Sequence, residues 1–307
     1  MIGDETIRGE LRKRITGEVL IDEPAGRHTS IGVGGVIDVL LFPENEGELM
    51  GIVDFLRRRQ IAFLPVGNWT NLIVRDGGYR GALVSLARLR SLSLRDEGKG
   101  GVLLLAGAGC PLSDLVSRSA SEALGGMEFC AGIPGSVGGA VRMNAGAYGG
   151  EIKDIVESVS LLDASGVIRA AAREELHFAY RSLDLPAETI IIGAAFRLRR
   201  GNGEKIAGRI REIIEMRRGK HPLEFRNAGS VFKNPRDCPA GRLIEEAGLK
   251  GIRIGDAQVS EMHGNFIVNR GAATAEEIFR LIALIRRRVF ERTGYTLETE
   301  VKIIGEP

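Results

Sequence analysis

Cysteine is scarce in this sequence, and long apolar runs are missing. The three cysteines, Cys110, Cys130 and Cys238, lie far apart and form no Cys-x-x-Cys pair, so the pattern favours neither a disulfide framework nor a zinc site. No apolar run approaches the roughly 18 residues of a membrane-spanning helix, and the first residues lack the apolar segment of a signal peptide. The four histidines show no metal-ligand spacing. We therefore expect a soluble cytoplasmic protein that binds no metal.

An excess of charge of one sign is also absent. The sequence has 42 basic and 40 acidic residues, which gives a formal net charge of +2. Its most basic runs, Arg57–Arg59 and Arg286–Arg288, fall toward the ends of predicted helices, where cations complement the helix dipole. No basic block alternates with aromatic residues, as nucleic-acid binding would favour. We expect no nucleic acid, no membrane and no obligate protein partner.

Two common nucleotide-binding motifs are missing. No Gly-Lys-Ser/Thr occurs, so the chain has no Walker P-loop. The Gly-x-Gly at 32–34 is followed by Ile37 where a dinucleotide fold needs its third glycine, and the one at 107–109 is followed by Leu112. A Rossmann site is therefore not expected.

Glycine is concentrated in one stretch, Gly125–Glu151. Nine glycines fall in these 27 residues, against about four expected from 42 in the whole chain of 307. A flexible linker would be polar and rich in serine. This stretch instead carries apolar residues that need a core: Met127, Phe129, Cys130, Ile133, Val137, Val141 and Met143. Because glycine allows close approach of the main chain to a ligand, we predict an ordered loop that contacts a ligand.

The rest of the chain predicts mixed helices and strands. Helices are expected at 5–16, 45–60 with Asn45 as N-cap, 111–124, after 203 to about 218, 239–247, and 274–292 with a capping box of Thr274 and Glu277. Strands are expected within 30–43 and at 61–66, 72–75, 83–86, 90–95, 102–106, 155–162, 167–171, 189–199, 252–255, 258–260, 265–268 and 297–304. The strand at 61–66 is of the kind covered on both faces. In 297–304, alternation is expected to place Leu297, Thr299, Val301 and Ile303 on one face.

The strand at 61–66 ends in Gly67–Asn71, a glycine followed mainly by small hydrogen-bonding side chains. Such an end presents backbone N–H groups at a sheet edge, which is a common way to hold phosphate. This loop is a second candidate for ligand contact. Further along, Gly201–Gly203 is the best domain boundary in the sequence.

Three polar residues could carry chemistry. Ser230 follows a glycine and precedes a lysine and an amide, Arg181 precedes a predicted strand, and Glu300 lies on the last predicted strand. Taken singly, each has an ordinary structural explanation: a turn serine, a surface arginine and a solvated carboxylate. Together, a proton donor, a guanidinium that holds a carboxylate by two hydrogen bonds and an acidic residue suit the addition of hydride and proton across an activated double bond.

Five motifs resemble those of the UDP-N-acetylenolpyruvoylglucosamine reductase family. They are AGIPGSVGGAVRMNAGAYGGEI at 131–152, Tyr-Arg at 180–181, AGSVFKNP at 228–235, GDAQVSEMHGNFIVN at 255–269 and LETEVKIIG at 297–305. The resemblance covers nearly the whole chain, from about His28 to Gly305. It implies an α+β fold with a two-lobed FAD-binding domain of the p-cresol methylhydroxylase (vanillyl-alcohol oxidase) type at 20–200, with lobes at about 20–86 and 87–200. A C-terminal α+β substrate-binding domain would occupy 201–307.

The resemblance also implies a reaction and a set of site residues. The family reduces UDP-N-acetylglucosamine enolpyruvate to UDP-N-acetylmuramate for peptidoglycan, with non-covalent FAD and with NADPH as electron donor. The implied catalytic residues are Arg181, Ser230 as proton donor, and Glu300. The implied FAD contacts are Gly67, Asn68, Thr70, Asn71, Ile133, Pro134, Gly135, Ser136, Gly139, Asn144 and Gly146. The implied substrate contacts are Tyr148, Lys233, Asn234 and Gln258.

Several details depart from the family or stay open. The short interval between Arg181 and Ser230 resembles the subclass without a tyrosine-bearing substrate-capping insertion, so Tyr148 is expected near the substrate. Trp69 stands where the family has a small residue, so it must point away from the FAD pyrophosphate or pack on another part of FAD. Arg142 is larger and more polar than the family norm. Glu300 must be protonated, or must orient a water or Arg181, to assist an anionic intermediate.

Two other functions remain open from the sequence. One is a different FAD oxidoreductase with the same type of domain, such as an alcohol or hydroxy-acid oxidase, which often binds flavin covalently and lacks the motifs at 228–235 and 297–305. The other is a non-catalytic nucleotide-sugar-binding module, which would have lost Ser230 or Glu300.

Overall fold

The computed structural model describes residues 5–98, 100–186 and 188–307, and the chain forms two compact units. The first unit contains the residues up to Ile21, Val39–Asn68 and Gly81–Met216; the second contains Asp22–Asp38, Trp69–Arg80 and Arg217–Pro307. One division between these units falls between Met216 and Arg217, near the end of the helix that begins at Gly203. The boundary of the FAD-binding and substrate-binding domains at 201–203 stays a prediction.

The described residues form seven α-helices and twenty strands. The helices are α1 Glu5–Arg14, α2 Glu46–Arg58, α3 Leu112–Ser121, α4 Val137–Arg142, α5 Gly203–Arg218, α6 Ala240–Glu246 and α7 Ala275–Thr293. The first ten strands are β1 Val19–Pro24, β2 Val36–Leu41, β3 Phe63–Val66, β4 Leu72–Val74, β5 Tyr79–Ser85, β6 Leu92–Gly98, β7 Gly101–Gly107, β8 Leu124–Gly125, β9 Gly146–Ala147 and β10 Gly150–Glu151. The others are β11 Val156–Leu162, β12 Ile168–Ala172, β13 His177–Ala179, β14 Ser182–Asp184, β15 Ile190–Arg200, β16 Arg226–Ser230, β17 Arg253–Ile254, β18 Ala257–Val259, β19 Phe266–Asn269 and β20 Lys302–Ile304.

The first unit is built around an antiparallel sheet of order β12-β11-β15-β7-β6, with β8 also paired to β15. Its central strand β15 is buried over most of its length, as the apolar run of its sequence predicts. Helices α3 and α4 bury apolar residues in the same core, which includes Leu115, Val137 and Phe196. A second core forms around α2, where Leu49, Ile52, Val53 and Leu56 are buried as expected.

A four-stranded sheet has the order β1-β2-β5-β3. The boundaries between the two units along the chain fall inside three of its strands, β1, β2 and β5. Strand β3 is parallel to β5. Only Val66 of β3 is buried, and Phe63 to Pro65 are partly exposed. The prediction that this strand is covered on both faces is therefore wrong, because β3 lies at the end of the sheet order.

The second unit combines the antiparallel sheet β16-β19-β18-β17 with the parallel pair β4-β20 and helices α6 and α7. The capping box of α7 is confirmed, since Thr274 and Glu277 exchange their hydrogen bonds. Asp76 also accepts the N–H groups of Ala275 and Glu276, at 3.0 and 2.8 Å. The N-terminus of α7 is therefore fixed by a carboxylate from the loop after β4.

The predicted strand at 297–304 is shorter in the structure. Residue Thr299 bridges to Phe232, and the Glu300 N–H donates to the Val231 carbonyl at 2.8 Å, whereas β20 pairs with β4. The backbone therefore pairs with the segment near Phe232 before Val301 and with β4 after it, and Val301 itself is a bend. Alternation breaks there, so Ile303 is 36% exposed although Leu297 is buried. The segment 30–43 is likewise a strand only in β2.

No helix among the described residues is both long and apolar enough to cross a membrane.

Candidate active-site segments in each unit

The glycine stretch is an ordered segment of the first unit, as predicted. It contains β8, α4, β9, β10 and a 3₁₀ turn at Glu128–Cys130. Four of its apolar residues, Met127, Cys130, Val137 and Val141, are at most 1% exposed, and all belong to the main core of the unit. This packing fixes the backbone around the glycines.

Ser136 is a buried hydroxyl without a hydrogen-bond partner among the described residues. The residue is 1% exposed and precedes α4, and its side chain does not cap that helix. The neighbouring backbone is held by hydrogen bonds from Leu112 N–H to Gly135 O (3.0 Å) and from Val137 N–H to Cys110 O (2.9 Å). A buried polar group left unpaired is costly, so this hydroxyl is suited to a ligand oxygen.

Gly67 lies beside that hydroxyl, since a Cβ at position 67 would overlap the Ser136 Oγ. The absence of a side chain at position 67 allows the hydroxyl to lie there. Gly135, which precedes Ser136, has φ +142°, a conformation that favours glycine. This arrangement fits the oxygen-rich pyrophosphate of FAD. It is the feature of the first unit that best supports a nucleotide cofactor.

The other predicted FAD contacts differ in accessibility. In the first unit, Pro134 and Gly139 are exposed and Ile133, Gly146 and Asn68 are partly exposed. Thr70 and Asn71 belong to the second unit, where the Asn71 amide donates to the Glu300 carbonyl at 3.2 Å. Their contacts with FAD stay predictions.

Asn144 is fully buried, and its amide is bonded to protein. The Nδ2 group donates to Glu151 Oε2 and to the Ala179 carbonyl, both at 3.0 Å, and Oδ1 accepts the Lys153 N–H at 3.0 Å. The predicted contact of Asn144 with FAD stays a prediction, and these bonds show a structural role that the sequence did not indicate.

Arg181 is held against the glycine stretch. Its Nη2 donates to the Gly146 carbonyl at 3.0 Å, and its guanidinium carbon lies 4.9 Å from the Tyr180 ring centroid. The residue has φ +56°, a left-handed conformation that non-glycine residues adopt rarely. Arginine presents its N–H donors in a planar fork, a geometry that suits a carboxylate.

Glu151 supplies negative charge near Arg181. Its carboxylate lies 2.6 Å from Lys153 Nζ. Burial opposes its ionisation, but hydrogen bonds from Lys153 and Asn144, together with the charges of Lys153 and Arg181, outweigh that effect and lower the pKa of Glu151. The carboxylate is therefore ionised at neutral pH.

In the second unit, Ser230 ends strand β16 after a bulge. The register of β16 on β19 shifts between Asn227 and Ser230, and Gly229 has φ +74°. The Gly229 N–H donates to Asn227 Oδ1 at 3.0 Å. Among the described residues the Ser230 hydroxyl makes no hydrogen bond, so a fixed backbone presents an uncommitted hydroxyl.

Asn265 fixes the chain on the other side of Ser230. Its backbone carbonyl accepts the Val231 N–H at 2.8 Å, and its side chain exchanges two hydrogen bonds with the Phe232 backbone at 2.9 and 2.8 Å. Because Val231 O accepts the Glu300 N–H, the segments that carry Ser230 and Glu300 are neighbours in this unit.

The predicted substrate residues are placed as follows. Lys233 Nζ lies 3.3 Å from Glu298 Oε2, and the Asn234 Oδ1 accepts the N–H of Ala240 at 3.0 Å. Gln258 is buried and donates to the Gly251 carbonyl at 3.1 Å. In the first unit, Tyr148 is partly buried with φ +50° at the turn between β9 and β10.

The two residues that depart from the family pattern have separate positions. Trp69 is 7% exposed, and its ring lies 5.5 Å from that of His28, so it packs within the second unit. Arg142 is an exposed residue at the end of α4.

Sequence reasoning missed Asn227 and Glu151. The Asn-x-Gly spacing of Asn227 and Gly229 is typical of a side-chain turn and could have indicated the first. No local pattern indicates the second, because its partner Asn144 bonds to it only after the chain has folded. Within the described part of the chain, no group of three or more His, Cys, Asp or Glu residues could hold a metal ion.

Known proteins resemble the chain over its whole length. Residues 221–304 match the C-terminal domain of UDP-N-acetylenolpyruvoylglucosamine reductase, and residues 37–172 match an FAD binding domain. The UDP-N-acetylenolpyruvoylglucosamine reductase of Syntrophus aciditrophicus is 51% identical over 306 residues, which covers 100% of this chain and 98% of the relative. That of Pelobacter propionicus is 45% identical, covering 94% and 97%.

A solved structure gives the same assignment. The crystal structure of UDP-N-acetylenolpyruvylglucosamine reductase from Thermus caldophilus has a TM-score of 0.80 and 35% identity, covering 94% of this chain and 99% of that one. These findings confirm the predicted fold class, an FAD-binding domain of the p-cresol methylhydroxylase type followed by a C-terminal α+β domain. The chain therefore belongs to the UDP-N-acetylenolpyruvoylglucosamine reductase family.

Proposed function

We propose that this protein is an FAD-dependent enzyme that reduces UDP-N-acetylglucosamine enolpyruvate to UDP-N-acetylmuramate in peptidoglycan precursor synthesis. One NADPH supplies a hydride, solvent supplies a proton through the protein, and the products are UDP-N-acetylmuramate and NADP⁺. The hydride goes to the methylene carbon of the enolpyruvyl group and the proton to the neighbouring carbon. The family assignment supports the reaction and the FAD; the choice of NADPH and a cytoplasmic location are our proposals.

The observation that carries the proposal is the presentation of Ser230. Asn227 and Asn265 fix the backbone on both sides of this residue, and its hydroxyl has no partner among the described residues. Efficient proton transfer needs a donor in a fixed position within hydrogen-bond reach of its target. An uncommitted hydroxyl on a rigid backbone meets that requirement.

FAD, when bound, accepts the hydride from NADPH and passes it to the substrate. Ser136 would donate its buried hydroxyl to a pyrophosphate oxygen, and the absence of a side chain at Gly67 leaves room for that hydroxyl. Gly135 would allow the main chain to approach closely. The other predicted contacts of the Gly67–Asn71 loop, Asn68, Thr70 and Asn71, would complete this loop around FAD.

Arg181 binds the carboxylate of the enolpyruvyl group and stabilises the negative charge that develops on it. Its cation is already positioned, so little reorganisation is needed when the charge appears. Glu300 orients a water or the guanidinium, or acts in its protonated form. Ser230 then gives its proton to the carbon next to the carboxylate and regains one from solvent.

The nucleotide and sugar of the substrate need polar groups of their own. We propose Lys233, Asn234 and Gln258 for this role, with Tyr148 near the substrate because the chain resembles the subclass without a capping insertion. Lys233 and Asn234 lie within four residues of Ser230 along the chain, which supports their contact with the same ligand.

A mass measurement tests the proposal. Purified protein loaded with FAD is incubated without oxygen with NADPH and UDP-N-acetylglucosamine enolpyruvate, and the nucleotide sugar is analysed by mass spectrometry. The substrate is expected to gain two hydrogens, with one NADPH consumed for each product. NADPH oxidation without a change in the mass of the sugar would refute the proposed reaction.

A further inference from the structure

Two segments of the first unit are joined in a closed hydrogen-bonded ring. In one direction, Asn144 Nδ2 donates to the carbonyl of Ala179 at 3.0 Å. In the other, Arg181 Nη2 donates to the carbonyl of Gly146 at 3.0 Å. Arg181 lies two residues after Ala179 and Gly146 lies two residues after Asn144, so the two bonds and the short backbone segments close a ring. The ring therefore ties the glycine stretch to the segment that carries Arg181.

The amide of Asn144 has little capacity for anything else. Both of its N–H groups donate to protein acceptors, one oxygen lone pair accepts the Lys153 N–H, and the residue is 0% exposed. A cofactor contact would have to compete with these bonds. The described geometry thus favours a role in positioning.

Both ends of the ring have backbone conformations that need support. Asn144 has φ +41° and Arg181 has φ +56°. Asparagine tolerates the left-handed region, whereas arginine adopts it rarely. A rare conformation persists only where its surroundings enforce it, and the bond from Asn144 to Ala179 lies two residues before the arginine.

We propose that Asn144 is a positioning residue that sets the backbone and guanidinium of Arg181 for the reaction, and that Glu151 keeps Asn144 oriented. Glu151 accepts from the second Asn144 N–H at 3.0 Å and is itself held by Lys153 at 2.6 Å. This inference rests on the proposed function, since it concerns how Arg181 meets the substrate carboxylate.

The test replaces Asn144 by alanine and measures the two half-reactions separately in the FAD-loaded enzyme. Reoxidation of the reduced flavin by UDP-N-acetylglucosamine enolpyruvate is expected to slow by about 10- to 100-fold, the usual cost of losing a group that orients a reacting residue. Reduction by NADPH and the dissociation constant of FAD are expected to stay nearly unchanged, because neither depends on how Arg181 meets the substrate carboxylate.

Asn269 provides a matched control. It is a buried asparagine of the second unit with the same number of bonds, since its amide donates to Ile31 O and accepts the N–H groups of Gly271 and Ala273. Asn269→Ala is expected to lower the melting temperature and to change neither half-reaction selectively. Equal selective slowing in both variants would overturn the proposal.

A double variant tests whether Asn144 acts through Arg181. Arg181→Ala with Asn144→Ala is expected to reoxidise no more slowly than Arg181→Ala alone, because residues that act as a unit are not additive. Losses that multiply in the double variant would overturn the proposal. A fall in FAD affinity that accounts for the slower reaction would also overturn it, in favour of a cofactor contact.

A second substitution covers the case in which the alanine variant does not fold. Asn144→Asp keeps the volume but places a carboxylate against Glu151, and it is expected to slow reoxidation selectively. Adding Glu151→Gln restores this hydrogen bond in the opposite direction, because the glutamine amide can donate to the new aspartate. Part of the rate of flavin reoxidation is therefore expected to return. No recovery would overturn the role of Glu151.

Failure of this inference can be told from failure of the proposed function. If the reduced wild-type enzyme were not reoxidised by the substrate at all, the proposed function would fail. If the wild-type enzyme were reoxidised and the Asn144→Ala variant were reoxidised equally fast, only this inference would fail.

Discussion

The segment around Arg181 and the segment around Ser230 hold their reactive groups in different ways. Arg181 is fixed through its side chain, which donates to Gly146 O and lies near the charge of Glu151. Ser230 is fixed only through its backbone, by a bulge that Asn227 stabilises and by bonds from the adjoining residues to Asn265. The first arrangement suits a group that binds charge, and the second suits one that must give up a proton.

The difference fits the two chemical roles that we propose for these residues. A cation that stabilises developing charge works best when it is already oriented. A hydroxyl that donates its proton to carbon cannot have that proton committed to a protein acceptor. In both segments an asparagine side chain bonds to the backbone near the proposed reactive residue: the buried Asn144 in one, and the partly exposed Asn227 in the other.

Removing the Ser230 hydroxyl is the largest expected effect. Ser230→Ala should slow reoxidation of flavin by UDP-N-acetylglucosamine enolpyruvate by about 10²- to 10⁴-fold, the scale for a positioned proton donor, and leave reduction by NADPH nearly unchanged. Stopped-flow absorbance measures both rates. Ser260→Ala removes a buried hydroxyl of the same unit that accepts the Met262 N–H and serves as the control. Equal slowing of both half-reactions by Ser230→Ala would make Ser230 structural.

A substitution at Asn227 tests whether the bulge before Ser230 positions that residue. Asn227→Ala removes the acceptor for the Gly229 N–H and the donor to the carbonyls of Phe225 and Pro222. We expect reoxidation to slow by about 10- to 100-fold, as for loss of an orienting group, and the free energy of unfolding to fall by about 1–2 kcal/mol. Loss of stability without slower reoxidation would show that the bulge does not position Ser230.

Ser136 carries a second hydroxyl without a hydrogen-bond partner among the described residues, and unlike Ser230 it is buried. Because Ser136→Ala removes an unpaired polar group, we expect the FAD-free protein to be stabilised by about 1 kcal/mol and FAD to bind about tenfold more weakly. Thermal unfolding without FAD and a fluorescence titration with FAD measure the two effects. A destabilised FAD-free variant with unchanged FAD affinity would contradict the assigned role.

The smallest expected effect is a pH dependence of stability in the second unit. Burial, then the charges of Arg217, His263 and Lys220, lower the pKa of His221 to about 4. The unfolded chain binds a proton near the ordinary pKa of about 6.5, so this contribution to stability is full above that pH and is lost as pH falls toward 4. We expect a loss of at most about 1 kcal/mol per pH unit between pH 6.5 and 5.

Denaturation at several pH values checks this prediction. His221→Phe keeps a ring beside Phe266, whose centroid lies 5.0 Å from that of His221, and should flatten the slope. An unchanged slope in that variant would assign the effect to other groups, such as the carboxylates.

Sequence reasoning succeeded where the controlling interactions are local. The caps of α2 and α7 follow from Asn45 and from Thr274 with Glu277, which bond within three residues. The hairpin of β11 and β12 follows from the Asp-Ala-Ser-Gly turn. The glycine stretch was predicted as an ordered segment because its apolar residues needed a core, and they form one.

It failed where a segment depends on distant partners. The chain at 297–304 pairs first with residues near Phe232 and then with β4, which no local alternation shows. Asn144 bonds to Ala179, 35 residues away, so its sequence context indicated only a position in a glycine-rich loop. The motifs predicted Arg181, Ser230 and Glu300 as site residues, but the residues that bond to their segments became visible only in the fold.

The most direct test of the account is a two-stage visible spectrum of the purified protein without oxygen. NADPH is added first and UDP-N-acetylglucosamine enolpyruvate second. We predict a yellow protein that bleaches with NADPH and regains its colour with the nucleotide sugar, which would establish the cofactor, the donor and the substrate together. Protein that stays colourless after incubation with FAD, or that bleaches and is not recoloured by this substrate, would contradict the account.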